Sequence, residues 1–195
     1  MPLLEREPFV FPETLLTEPA AANTDGAAWW VLHTRPRAEK ALARRILQKR
    51  VPFFLPLYQR QWRNQGRMFS SHLPIFPGYV FLYGDASVRG LALETNLVAR
   101  VLPVPDQLEL HEDLARLYRL IDAGLPLTPE QKLPQGTVVE ITSGALEGMT
   151  AKVIRHGKGL RLFVEVKMLQ QGVSVEIENW MVRVVQGASA AALTL

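Results

Sequence analysis

The chain has 195 residues, 48% of them hydrophobic, and no cysteine. That suits one medium domain or two small ones and provides neither a disulfide nor a thiolate ligand. Net charge is only +3, but Trp29 to Ile75 holds ten basic residues against the single acid Glu39, a net +9, which leaves −6 for the rest. Such asymmetry points to a polyanion for one face of one domain. No run approaches the roughly 18 apolar residues of a membrane helix. The N-terminus carries Glu5, Glu7, Glu13, Glu18 and Asp25 against Arg6, unlike a secretory signal. The expectation is a cytoplasmic monomer with no membrane partner.

Residues 1–26 mix Pro, Ala, Glu and Thr without periodicity and are expected to be a flexible leader. AWWVLHT (28–34) reads as a strand that stops at Arg35-Pro36-Arg37. Thr34 is a candidate helix cap, with Pro36 in the first turn, for a helix over 37–50. In that helix Ala38, Ala41, Leu42 and Ile46 share an apolar face, and Arg37, Lys40 and Arg44 form a ridge beside it. Pro52 ends it. Asn64-Gln65-Gly66 then reads as a hairpin tip, with Arg60, Arg63 and Arg67 close to it. Trp62 in the same hairpin either stacks on an unpaired base or packs under the sheet.

A strand over 78–84, a short helix over 85–96, a strand over 97–104 and an amphipathic helix over 110–124 complete an α+β domain, 27–124. Alternation sets Tyr79 and Phe81 on one strand face and Val80 and Leu82 on the other. From the residues alone, core is the commoner place for these aromatics. The proline-rich stretch 125–134 reads as a linker. Five short alternating segments over 135–185 read as a small all-β, five-stranded barrel, and 186–195 as a frayed tail. That barrel region is nearly neutral, with six basic and five acidic residues.

Catalysis has no visible home. His33, His72, His111 and His156 are scattered without metal-ligand spacing, and HGKG (156–159) lacks the phosphate-loop pattern. Glu112 and Asp113 suit a helix N-terminal dipole rather than acid–base chemistry. A non-enzymatic protein with no cofactor and no metal is expected.

Taken together, WWVLHTRPRAEKALARRI, FPGYVF (76–81) and VVEITSGALEGMTAKV resemble the NusG family of transcription elongation factors over about 28–185. The resemblance implies an antiparallel sheet flanked by helices for the first domain, and the barrel resembles a KOW (SH3-like) domain. The resemblance implies a first domain that binds the clamp helices of RNA polymerase and makes elongation more processive. Its aromatic surface would comprise Phe76, Tyr79 and Phe81, with Trp30 nearby. Arg35, Arg37, Lys40 and Arg44, with Arg60, Arg63 and Arg67, would then face upstream or non-template DNA. In the barrel, Leu146 and Met149 would dock a ribosomal protein or the termination factor Rho. Met149 stands where general members commonly carry Phe, and Ala151 where they carry Gly. GALEGMTA and HTRPRAEK are closer to the specialised branch, RfaH-like and polysaccharide-operon antiterminators, which act on chosen operons. A different class, an RNA-binding or ribosome-associated KOW protein, would place the nucleic-acid contact on the barrel instead.

Overall fold

The structure, a computed structural model, describes residues 8–17, 26–130, 136–156, 159–178 and 181–185. The expected tail 186–195, most of the leader and residues 131–134 of the expected linker lie outside these residues. The chain divides into two compact units, Met1–Ala115 and Arg116–Leu195.

The first unit is built on an antiparallel sheet of five strands: β1 (Val10–Phe11), β2 (Ala28–Thr34), β3 (Phe53–Phe54), β6 (Tyr79–Gly84) and β7 (Val98–Leu102), ordered β1-β3-β6-β2-β7. A separate ribbon, β4 (Leu57–Asn64) paired with β5 (Arg67–Pro74), intervenes in sequence between β3 and β6. Helices α1 (Glu39–Gln48) and α2 (Ala86–Leu93) complete one layer. Leu32, Phe53, Val80 and Leu82 from the sheet pack there with Leu42 and Ile46 of α1 and Ala92 of α2. These side chains are fully removed from water, and each of them larger than Ala92 stabilises the fold by about 1.5–3 kcal/mol.

The opposite sheet face is equally buried at its centre. Trp29, Val31, Phe54 and Phe81 lie on it, in register across three strands. Helix α3 (Gln107–Asp122) begins against Trp29. The Trp29 backbone N–H donates to Gln107 Oε1 at 2.6 Å, and its carbonyl accepts from Gln107 Nε2 at 3.2 Å. The Trp29 and His111 rings are 6.0 Å apart. Both faces of this sheet are therefore core.

Two local expectations change. Helix α1 starts at Glu39, with Ala38 as its cap residue and no side-chain capping bond, so Thr34 is not its cap. Thr34 ends β2 instead, its backbone N–H taken by the Gly78 carbonyl at 2.8 Å. Helix α2, by contrast, is capped by Asp85, whose carboxylate accepts from Ser87 Oγ and from the Ser87 and Val88 N–H groups. The Ser87 hydroxyl, then the Val88 N–H, hold the Asp85 carboxyl below its ordinary pKa. The cap thus contributes above the ordinary carboxylate range and is lost as pH falls through the lowered value.

Residues 8–17, expected to belong to a flexible leader, are instead structured. β1 pairs with β3 at the sheet edge (Val10 opposite Phe54, Phe11 opposite Phe53), the Leu55 N–H donates to the Phe9 carbonyl at 2.6 Å, and a 3-10 turn, Glu13–Leu16, buries Leu16. Edge pairing is a long-range effect with no periodic signature, which is why two strand residues escape a pattern reading.

In the second unit the five expected strands are present: β9 (Thr137–Ile141), β10 (Thr150–His156), β11 (Gly159–Val166), β12 (Gln171–Ile177) and β13 (Val182–Val184). A sixth, β8 (Thr128–Glu130), comes from the stretch expected to be linker and pairs with β12, giving the order β13-β9-β10-β11-β12-β8. Pro129 is tolerated there because β8 is an edge strand. Among the described residues no ladder joins β8 to β13, so hydrogen bonding leaves this sheet with two ends. The last turns of α3 also fall in this unit, where Arg119 Nη2 donates to the Glu147 carbonyl at 2.9 Å.

Leu16→Ala is expected to lower the unfolding free energy by about 2–5 kcal/mol, the usual range for a buried leucine. An unchanged denaturant midpoint means the segment contributes nothing.

Candidate functional site

The turn Phe76-Pro77-Gly78-Tyr79 positions the aromatic surface. The Tyr79 N–H closes on the Phe76 carbonyl at 3.1 Å, and Gly78 sits at φ 86°, which a side chain rarely adopts. Pro at the second position and a positive-φ glycine at the third define a type II turn. Both peptide groups of Gly78 are engaged: its carbonyl with Thr34 and its N–H with Glu39 Oε1 at 2.6 Å. Glu39 is buried, and its carboxylate ties the start of α1 to the start of β6. A Cβ on Gly78 would meet the His33 ring at 3.4 Å.

The four residues expected to form one aromatic surface do not share it. Tyr79 is half-buried and stands opposite His33 on β2, ring centroids 5.2 Å apart. Phe76 and Phe81 are on the same side but are 1% and 0% exposed, meeting edge to face at 6.1 Å. They form the floor beneath Tyr79 rather than a surface. Trp30 is on the other sheet face, because register places it opposite Leu82. Its indole N–H donates to the Gly84 carbonyl at 2.9 Å, and the Arg89 guanidinium covers its ring at 5.1 Å. Tyr83, which stands opposite Trp29 at 5.1 Å, is a half-buried aromatic of the Tyr79 face that the sequence reading missed. His33 was missed as well; strand alternation from Tyr79 finds both once the register is known.

The basic residues fall on two elements. Arg35, Arg37 and Arg44 are exposed at the β2–α1 junction and along α1, with Lys40 half-buried among them. Arg60, Arg63 and Arg67 are exposed on the β4–β5 ribbon. Its tip, Gln65 at φ 46° and Gly66 at φ 77°, is the two-residue hairpin turn with both central residues at positive φ. Trp62 is exposed there, not packed under the sheet, and its ring stacks with that of Phe69, which faces it across the ribbon.

In the second unit Leu146 and Met149 are 4% and 2% exposed, so as folded the turn does not present them to a partner. Leu146 lines a cavity of about 450 Å³ with Ile141, Leu160 and Met181, and with Arg161 and Glu176 at its polar side. Among the described residues no three His, Asp or Glu side chains are grouped to hold a metal ion.

Residues 27–113 match the model of the family described as transcription termination factor nusG. No curated protein matches the sequence. Among solved structures, one described as domain interaction in Thermotoga maritima NusG is 18% identical, covers 82% of this chain and 98% of its own, and superposes with a TM-score of 0.48. The MjSpt4:Spt5 complex in conformation A is 21% identical, with 80% and 97% coverage and a TM-score of 0.28.

Glu39→Ala, which leaves the Gly78 N–H without its charged acceptor, is expected to destabilise the protein by about 1.5–3 kcal/mol in denaturant unfolding. Gly78→Ala, forced to positive φ beside the His33 ring, is expected to lose about 1–2 kcal/mol or more. Wild-type stability in either variant removes this turn from its organising role.

Proposed function

We propose that this chain, whose residues 27–113 match the NusG family model, is a non-enzymatic transcription elongation factor. It binds the clamp helices of RNA polymerase through its first domain and makes elongation more processive, with antitermination on selected operons as its specialised role. The observation that carries the reading is that family match, which spans β2, α1, the ribbon and the FPGY turn. The geometry supports it in kind: Tyr79, His33 and Tyr83 are half-buried on one sheet face, over a floor of Phe76 and Phe81. An amphipathic helix laid on such a surface buries large side chains worth roughly 1.5–3 kcal/mol each.

Arg35, Arg37, Lys40 and Arg44 then serve upstream or non-template DNA through phosphate contacts, which fix position and read no bases. Docking of a ribosomal protein or Rho at Leu146 and Met149 would require the turn that carries them to expose them first. The nearly neutral second domain makes it a poorer nucleic-acid surface than the first, which weighs against the RNA-binding alternative.

The test is capture of purified RNA polymerase by the full chain and by Tyr79→Ala. Capture is expected to weaken about tenfold or more, as for a central aromatic anchor, with the circular dichroism spectrum unchanged. Unchanged capture overturns the docking face. Phe81→Ala is unsuitable for this purpose, because emptying a fully buried site would cost about 3–5 kcal/mol of stability. Reversal of Arg35, Arg37 and Arg44 to Glu is expected to weaken retention on template DNA and flatten its salt dependence; unaltered retention would leave that ridge merely solvated.

A further inference from the structure

We propose that one face of the β4–β5 ribbon is a stacking subsite for an unpaired nucleic-acid strand, with Trp62 and Phe69 taking a base and Arg60 and Arg67 taking the flanking phosphates. This rests on the function proposed above and adds to its Arg35, Arg37, Lys40 and Arg44 contact a second one, on the ribbon.

The register makes the assignment. Trp62 stands opposite Phe69, Arg60 opposite Ser71, and Arg67 opposite Asn64. Side chains alternate along each strand, so residues two apart share a face. Arg60 precedes Trp62 by two on β4, and Arg67 precedes Phe69 by two on β5. All four therefore project from one face, the aromatic pair between the two arginines. Arg63, opposite Met68, projects from the other.

The aromatic pair is built as a platform. The rings are 18° from parallel with centroids 5.8 Å apart, and Trp62 and Phe69 remain 40% and 38% exposed. A base inserted between two rings needs roughly 6.8 Å, twice the stacking rise of a nucleic-acid strand. The pair is too close for that, so a base stacks on its outer surface. Every base has such a face, so the contact tolerates any sequence but requires bases that are out of a duplex.

Charge selects the same partner. From Leu57 to Pro74 there is no Asp or Glu, and among the described residues Arg60 and Arg67 pair with no acid. An apolar protein segment would satisfy the rings and leave the arginines idle, whereas a single strand supplies bases and phosphates in alternation. The other reading of the pair is a cross-strand contact that only steadies the ribbon.

Full-length protein and labelled single-stranded oligo(dT), oligo(U) and a blunt DNA duplex of the same length decide between these by fluorescence anisotropy across a salt series. Trp62→Val with Phe69→Val places two strand-favouring β-branched residues opposite each other and so retains the ribbon's pairing. It is expected to weaken single-strand binding by about 5- to 150-fold for one stacked base, without changing the salt slope. Arg60→Gln and Arg67→Gln are each expected to reduce the slope by about 0.7, and Arg63→Gln to leave it. The DNA and RNA arms identify the strand. Unchanged single-strand affinity in the valine pair, equal loss on the duplex, or a slope that falls as much in Arg63→Gln overturns the subsite. The valine pair should still capture RNA polymerase; weakened strand binding by the valine pair beside unchanged polymerase capture by Tyr79→Ala would count against the polymerase face alone.

Discussion

The bond from Glu39 to Gly78 holds the first domain's working end together. A carboxylate that accepts a backbone N–H makes a stronger hydrogen bond than a neutral acceptor does, and this one is buried. Its consequences run in three directions. It fixes the start of α1, which has no side-chain cap of its own. It holds Gly78 where its carbonyl can accept the Thr34 N–H and so join the end of β2 to the start of β6. It also fixes the direction in which Tyr79 leaves the turn, beside His33. The one acid in the +9 stretch is thus spoken for by structure. Glu39 points its carboxylate at the Gly78 N–H, while Arg35, Arg37 and Arg44 are exposed beside it.

The burial of both sheet faces explains how much was legible from residues alone. The strand over 28–34, the tip at Gln65-Gly66 and the amphipathic helix α3 are local signals, written in alternation, turn chemistry and a 3.6-residue period. The fold class follows from their order. What escaped was non-local. The edge strand Val10–Phe11 is specified by its partner β3, and Thr128–Glu130 looked like linker because two prolines flank or occupy it, yet an edge strand accepts Pro129.

The site residues show the same limit more sharply. Alternation correctly separated Tyr79 and Phe81 from Val80 and Leu82, but it could not say which face each neighbouring strand contributes. One step of register decides whether Trp29 or Trp30 joins the Tyr79 side, and the pairing of Trp30 with Leu82 assigns it to the α2 side. Nor could alternation show that Phe76 and Phe81 are a floor, since a fully apolar strand reads alike whether one face or both are covered. The Phe69 partner of Trp62 was within reach: a two-residue tip fixes the register of its hairpin, and counting back from Gln65-Gly66 pairs the two rings.

That ribbon is the least economical part of the fold. A two-stranded hairpin is marginal in water without a face to pack on, yet residues 59–70 are exposed on both sides. Its exposed backbone edges invite pairing with other chains, and its arginines oppose that by charge. Stability alone would favour a shorter connection from β3 to β6, since the turn and its aromatic pair support only the ribbon itself. The ribbon instead leaves an aromatic pair bracketed by arginines open to solvent, the arrangement that the proposed contact with an unpaired strand would use. A stacking platform has to project, and projection is incompatible with burying its rings in the core.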